Sequence, residues 1–89
     1  MSLRVSHPHV ELSAQLEGSP VVRGTRIAVR RLFAWHRQGV PLETLFKRYP
    51  QLSPGQLLDA LAFAYDNPEL IEADLARERA ALGQDVRNP

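Results

Sequence analysis

Four arginines within nine residues are the side chains of this sequence best suited to chemistry. Arg23 and Arg26 flank a Gly-Thr turn, and Arg30 and Arg31 follow at the start of a predicted helix. Guanidinium groups form bidentate hydrogen bonds with phosphate, and the N–H groups of a helix start add further donors. The cluster therefore predicts contact with a DNA backbone. The alternative is that one or two of these arginines are structural and pair with nearby glutamates.

Two other polar side chains join this candidate DNA surface. Thr25 lies inside the arginine turn, and Gln56 lies in the first turn of a helix predicted at residues 54–66. A recognition helix normally presents Arg, Lys, Asn or Gln to the major groove. This helix has no basic residue, carries Asp59 and Asp66, and is broadly apolar, which favours a core or oligomer-interface role. We therefore expect any DNA contacts to come from the N-terminal hairpin and the first helix, with Gln56 the one base reader.

The charges are divided unevenly along the chain. The formal net charge of the 89 residues is +1, but residues 1–50 carry net +5 and residues 51–89 carry net −4. Such asymmetry indicates a polyanionic partner for the basic half. It is equally consistent with two faces that pair with each other, within the domain or across a dimer.

The acidic C-terminal helix, predicted at about residues 68–82, is a candidate protein-binding surface. A thin apolar stripe with an acidic flank suits a helix that docks in the groove of a partner protein. The alternative is simple packing against its own bundle. The residues predicted to meet the partner are Leu70, Ile71, Glu72, Asp74, Leu75 and Arg79.

Other chemistry is not indicated. The chain has no cysteine, so thiol catalysis and zinc–thiolate sites are excluded. His7 and His9 have no carboxylate cluster near them in sequence, and His36 lies on an apolar helical stripe, so we expect no metal site. No catalytic or phosphate-loop pattern is present, and we expect neither an enzyme nor a cofactor. The sequence lacks an apolar membrane span and a secretory signal, which predicts a cytoplasmic protein without membrane contact.

The periodicity of the sequence predicts a mainly α single domain over residues 1–89, with its core at about 10–70. Alternation over residues 10–16 and the pair Val21-Val22 predict a short N-terminal β-hairpin. A helix from Val29 to the Gly39 region and a second after Pro41 follow, and a capping box at residues 53–56 starts the third. The tight connections favour a helix-turn-helix arrangement followed by a C-terminal helix. The edge of the β element is a natural place for two chains to pair as a homodimer.

The segments GSPVVRGTRIAV and RRLFAWHRQGVPLETLFKRYPQLSPGQLLDALAFAYDNPEL closely resemble the domain-of-unknown-function 433 family over about residues 10–70. In place of the proline that usually follows Thr-Arg-Ile, this chain has Ala28, and the acidic turn at the start of the second helix is reduced to Glu43. The matching positions are Gly18, Pro20, Val21, Val22, Gly24, Thr25, Arg26, Ile27, Val29, Gly39, Tyr49, Pro50, Leu52, Ser53, Ala60, Leu61, Phe63 and Ala64.

The resemblance implies a homeodomain-like helix-turn-helix fold and an antitoxin of a type II toxin–antitoxin pair. Such an antitoxin would bind a PIN-like nuclease toxin and repress transcription by binding operator DNA. The alternative function is a dimerisation or toxin-neutralising module without DNA binding, which the absence of basic residues from the third helix favours. Family analogy alone does not decide between the two.

Overall fold

A computed structural model describes residues 7–87, and side chains through Leu82. The described chain is mainly α, with an N-terminal antiparallel β-hairpin followed by four helices, as predicted. The elements are β1 (Val10–Ser13), β2 (Ser19–Val22), α1 (Val29–Arg37), α2 (Leu42–Arg48), α3 (Pro54–Asp66) and α4 (Pro68–Arg87).

The hairpin is shorter than the alternating sequence predicts. β1 ends at Ser13, because the chain has to reverse early for Ser13 to pair with Ser19. Residues Ala14–Leu16 form one 3₁₀ turn instead of strand, and the reversal is completed at Gly18, whose φ of 86° favours glycine. Alternation would place Val10 and Leu12 on one buried face of the strand, but only Val10 is buried and Leu12 is 63 % exposed.

β2 lies inside the molecule and leads into α1. All four of its residues are buried, with β1 on one side and a bridge from Val21 to Ala28 on the other. The Thr25 hydroxyl donates to the Val22 carbonyl at 2.7 Å and accepts from the Ile27 N–H at 3.0 Å. These bonds close the Arg-Gly-Thr-Arg turn. Ala28 precedes α1 with a φ of −74°, close to the value that proline imposes, so its replacement of the usual proline leaves the backbone path intact.

The helices enclose one core between the hairpin, α1 and α3. The predicted capping box starts α3: the Ser53 hydroxyl accepts from the Gln56 N–H, and the Gln56 side chain accepts from the Ser53 N–H. α2 and α3 are joined through residues 49–53, the connection expected for the helix-turn-helix pair. Fully buried side chains of each helix meet at the centre, among them Leu32, Leu45, Leu57 and Ile71.

α4 is longer than predicted and continues to Arg87. Its N-terminal half packs against α1 and α3, with Ile71 in the core. Within the described residues, no helix combines the length and the apolar character needed to cross a bilayer.

Candidate interaction surfaces

A buried polar network joins β2, α1 and α4. The Asp74 carboxylate accepts from the Ser19 hydroxyl at 2.6 Å, from Arg30 Nη1 at 2.9 Å, and from Arg77. Asp74 is only 2 % exposed. Burial alone would raise the pKa of Asp74, but hydrogen bonds from Ser19, Arg30 and Arg77 outweigh it and hold that pKa below its usual value. The carboxylate therefore stays charged as the centre of the network.

This network corrects two site predictions. Arg30 was predicted to meet DNA and Asp74 to meet a protein partner, but the two side chains bind each other inside the chain. Burial tends to lower the pKa of Arg30, yet its contacts with Asp74 and Glu78 raise it overall. Arg30 Nε also lies 3.3 Å from Glu78 Oε1, although without hydrogen-bond geometry. Both residues are structural because each neutralises a charge that would otherwise be buried alone.

Further ion pairs between α1 and α4 account for much of the charge asymmetry. Arg31 reaches Glu78 at 3.5 Å, and Arg37 pairs with Glu72. Together with the Arg30 contacts, these pairs cross from the basic half of the chain to the acidic half. The charge asymmetry was interpreted either as a surface for a polyanionic partner or as two faces that pair with each other. Along the contact between α1 and α4, the opposite charges pair within the chain.

Three other residues of the predicted DNA surface have structural contacts. Arg23 is 58 % exposed on its side chain but donates to the carbonyls of Pro8, at 2.9 Å, and Val10, at 3.3 Å. Its Nη1 also reaches Glu11 at 3.4 Å. Thr25 holds its own turn, and Gln56 caps α3. Their polar atoms are engaged in shaping the fold.

Three other exposed cations differ from these residues because they form no ion pair among the described residues. Arg26 is exposed in the loop before α1, and Lys47 and Arg48 end α2. The Arg48 guanidinium stacks 4.4 Å from the centroid of the Trp35 ring. Within residues 7–82, no ion pair or side-chain hydrogen bond involves these three cations. Arg48 is exposed and its guanidinium is held by stacking, so it is a candidate anion-binding group that the sequence analysis did not identify.

The predicted partner surface of α4 is only partly on the outside. Leu70 and Arg79 are exposed, as is Glu72 despite its pairing with Arg37, and Leu75 is half-buried. Ile71 is fully buried in the core, so neither Ile71 nor Asp74 is accessible to a partner protein. Of the six predicted partner-binding residues, the chain itself therefore covers Ile71 and Asp74.

The core-facing stripe of α4 continues past the body of the domain. Ile71, Leu75, Glu78 and Leu82 share one side of the helix because they are separated by three or four residues. Exposure rises along this stripe, from 0 % for Ile71 to 57 % for Leu82. The described side chains beyond Glu78, residues 79–82, are all exposed. Ala81, next to Leu82, lines an open cavity of about 270 Å³ beside the buried network.

α3 presents a second exposed apolar stripe, made of Leu58, Ala62 and Tyr65. Leu58 is 45 % and Tyr65 61 % exposed. The Tyr65 ring meets Phe33 edge-on at 5.2 Å, and its hydroxyl lies 2.7 Å from Nε2 of His36. His36 is half-buried and packed, as predicted. The outward side of α3 is therefore apolar at the position where a DNA reader would be cationic.

His7 lies against α3, a position that the sequence analysis did not predict. Its Nδ1 is 2.9 Å from Asp59 Oδ1, and its Nε2 is 2.8 Å from Asp66 Oδ2. The seven-residue spacing of the two aspartates, which brings them to one face of α3, was the only available signal. Among the described residues, no group of three or more His, Asp or Glu side chains is arranged to hold a metal ion.

The sequence and the structure of this chain are both similar to those of known proteins. The model of the family described as protein of unknown function (DUF433) matches residues 13–64, more than half of the chain. The chain is similar to the crystal structure of a DUF433 member protein from Anabaena variabilis ATCC 29413, with 32 % identity and a TM-score of 0.70. That match covers 76 % of this chain and 68 % of the other. No curated protein shows significant similarity. On the evidence of this match and of the residues that carry it, the chain belongs to the DUF433 family.

Proposed function

We propose that this protein acts without catalysis, as a toxin-neutralising interaction module of the antitoxin type. The observation that supports this most is the exposed continuation of α4. The stripe is core-forming at Ile71 and reaches Leu82, which the residues that the structure describes leave 57 % exposed. An exposed helical segment is only marginally stable in water, because most helical stability in proteins comes from packing. The groove of a partner protein would supply such packing for the end of α4.

The partner proposed from the family resemblance is a PIN-like nuclease toxin. The surface offered to it combines the exposed part of α4 with Arg79 and the cavity beside Ala81. Its exposed charges are mixed, with Glu69 and Glu72 at the start of the helix and Arg77 and Arg79 further along. Apolar anchors within a polar surround are typical of sites where binding energy is concentrated.

This proposal is tested first by the gene neighbourhood, in which we expect a gene for a nuclease-like protein beside the gene for this chain, and then by binding to that protein. We expect the two purified proteins to form a complex by calorimetry, and Leu82→Ala to weaken it about tenfold, since loss of a buried anchor typically costs more than 1 kcal/mol. Leu12→Ala is the matched control, because Leu12 is similarly exposed but lies on β1. Separate elution of the two proteins at micromolar concentration, or equal effects of the two variants, would contradict the proposal.

Repression through operator DNA is the second candidate function, favoured by the exposed cations. Among the described residues Arg26, Lys47 and Arg48 are exposed without an ion pair, whereas Arg23, Arg30 and Arg31 have partners within the fold. Contacts of this kind position a protein on DNA without reading its sequence. A homodimer, paired through the outer edge of β1, would double the cationic surface and match a two-fold operator.

The DNA function predicts a salt dependence that follows particular cations. With the protein's own upstream DNA, Arg48→Gln and Lys47→Gln should each lower the slope of log affinity against log salt by about one. Arg37→Gln is the control, because Arg37 is already paired with Glu72. Unchanged DNA mobility at low salt would leave the protein-binding function standing alone.

A further inference from the structure

A strap of three residues, His7 to His9, crosses from the hairpin to α3. It is held on the hairpin side by Arg23, which donates to the Pro8 carbonyl, while the Arg23 N–H donates to the His9 carbonyl at 2.7 Å. On the other side it meets Asp59, whose Oδ2 accepts from the His9 N–H at 2.9 Å. The His7 ring packs edge-on against Phe63, at 5.5 Å between centroids. The side chain of His7 is only 9 % exposed.

The two contacts of the His7 ring require a cation. A neutral imidazole has one N–H donor and one lone pair. Here both ring nitrogens face carboxylate oxygens, at 2.9 Å and 2.8 Å. If the ring were neutral, one carboxylate would face a lone pair and that contact would become repulsive. Only imidazolium satisfies Asp59 and Asp66 together.

We propose that His7 is a pH-sensitive latch, which holds the strap on α3 while its ring is protonated and releases it when the ring loses its proton. This inference is independent of the proposed function. Release would uncover Phe63 and leave two carboxylates without their shared cation, next to the exposed stripe of Leu58, Ala62 and Tyr65. The outward surface of α3 would then become both larger and more acidic.

The charged groups around the latch set the pH range in which it is closed. α3 contributes Asp59 and Asp66, and the strap contributes His9, whose charge also acts on Asp59. Burial alone would lower the pKa of His7, but its bonds to the two aspartates raise it above the ordinary value of 6.5. Burial alone would raise the pKa of Asp59, but its bonds with His7 and His9 lower it below 3.8.

The signs of these shifts define the window. The contribution of His7 to stability is fully present below pH 6.5 and is lost as the pH rises through its raised pKa. The contribution of Asp59 is present above 3.8 and is lost as the pH falls through its lowered pKa. The latch is therefore closed at pH values between the lowered pKa of Asp59 and the raised pKa of His7, and it opens when the pH rises above the pKa of His7.

The test is a nitrogen NMR titration of the ¹⁵N-labelled full chain, in which the three histidines are followed together. We expect the ring of His7 to stay imidazolium at pH 6.5 and to titrate above that value. Asp66→Asn should move the midpoint downward, because it removes one of the two carboxylates. His36, which lies outside the strap, is followed in the same spectra as the reference, and His36→Gln should leave the His7 midpoint unchanged.

Amide exchange of His9 reports the latch itself. After correction for the intrinsic effect of pH on exchange, protection of the His9 N–H should fall about tenfold through the midpoint of His7, since its acceptor Asp59 is part of the latch. In His7→Gln the protection should be lower throughout and show no such step. A midpoint of His7 at or below 6.5 in the unmodified chain, or protection of His9 that does not change across the midpoint, would overturn the proposal.

Discussion

Replacing Asp74 by alanine is expected to lower the free energy of unfolding by about 3–5 kcal/mol. The reason is that Asp74 is buried at the junction of β2, α1 and α4, where it accepts hydrogen bonds from Ser19, Arg30 and Arg77. Removing the carboxylate leaves the largely buried guanidinium of Arg30 with only Glu78 to balance its charge, and leaves the Ser19 hydroxyl without the acceptor of its proton. The measurement is urea denaturation at a fixed protein concentration, because any self-association would add to stability.

Two further variants separate the buried network from ordinary ion pairing. Glu72→Ala breaks an ion pair whose two side chains are about half exposed, so the expected cost is only about 0–1 kcal/mol. The double variant Arg30→Met, Asp74→Leu replaces the buried pair by apolar groups and should recover most of the stability lost in Asp74→Ala. If Asp74→Ala cost no more than Glu72→Ala, the network would contribute nothing beyond a surface pair.

The second large effect is expected at Leu57, on the inward face of α3. Leu57 is fully buried in the hydrophobic core, and Leu57→Ala should cost about 2–5 kcal/mol through lost burial and the cavity that remains. Urea denaturation followed by far-ultraviolet circular dichroism measures this loss. The adjacent Leu58 provides the control, since the same substitution there removes a side chain that is 45 % exposed.

We expect Leu58→Ala to change stability by about 0.5 kcal/mol or less. Comparing Leu57→Ala with Leu58→Ala tests which face of α3 is turned toward the core, because neighbouring residues on a helix point about 100° apart. Equal losses at the two positions would mean that α3 is rotated and that Leu58, Ala62 and Tyr65 are not an exposed stripe. That result would also remove the apolar surface beside the His7 strap.

Helix and strand boundaries were predicted well wherever a local sequence motif favours a particular backbone geometry. The box from Ser53 to Gln56 started α3 as predicted, because hydroxyl and amide side chains cap a helix whatever packs on it later. The prediction of β1 was less accurate. Alternation continued through Leu16, but the strand stops at Ser13, where pairing with β2 decides the register.

The candidate sites depended more on contacts between distant residues. The four clustered arginines were predicted to contact DNA, yet Arg30 is bound to Asp74, 44 positions along the chain. His7 meets aspartates 52 and 59 positions away. No local pattern encodes such pairs, because long charged side chains find their partners only after the helices have packed.

The amino-acid sequence by itself determined the order of hairpin and helices, the family and the division of charge, since these follow from local periodicity, capping and residue type. Only the tertiary structure decided which charges remain available to a partner. Burying a charge costs free energy unless an opposite charge accompanies it, so folding pairs much of the basic half with the acidic half. Folding leaves other side chains exposed, among them Arg26, Lys47, Arg48 and Leu82. We expect partners of this protein to bind at these exposed residues.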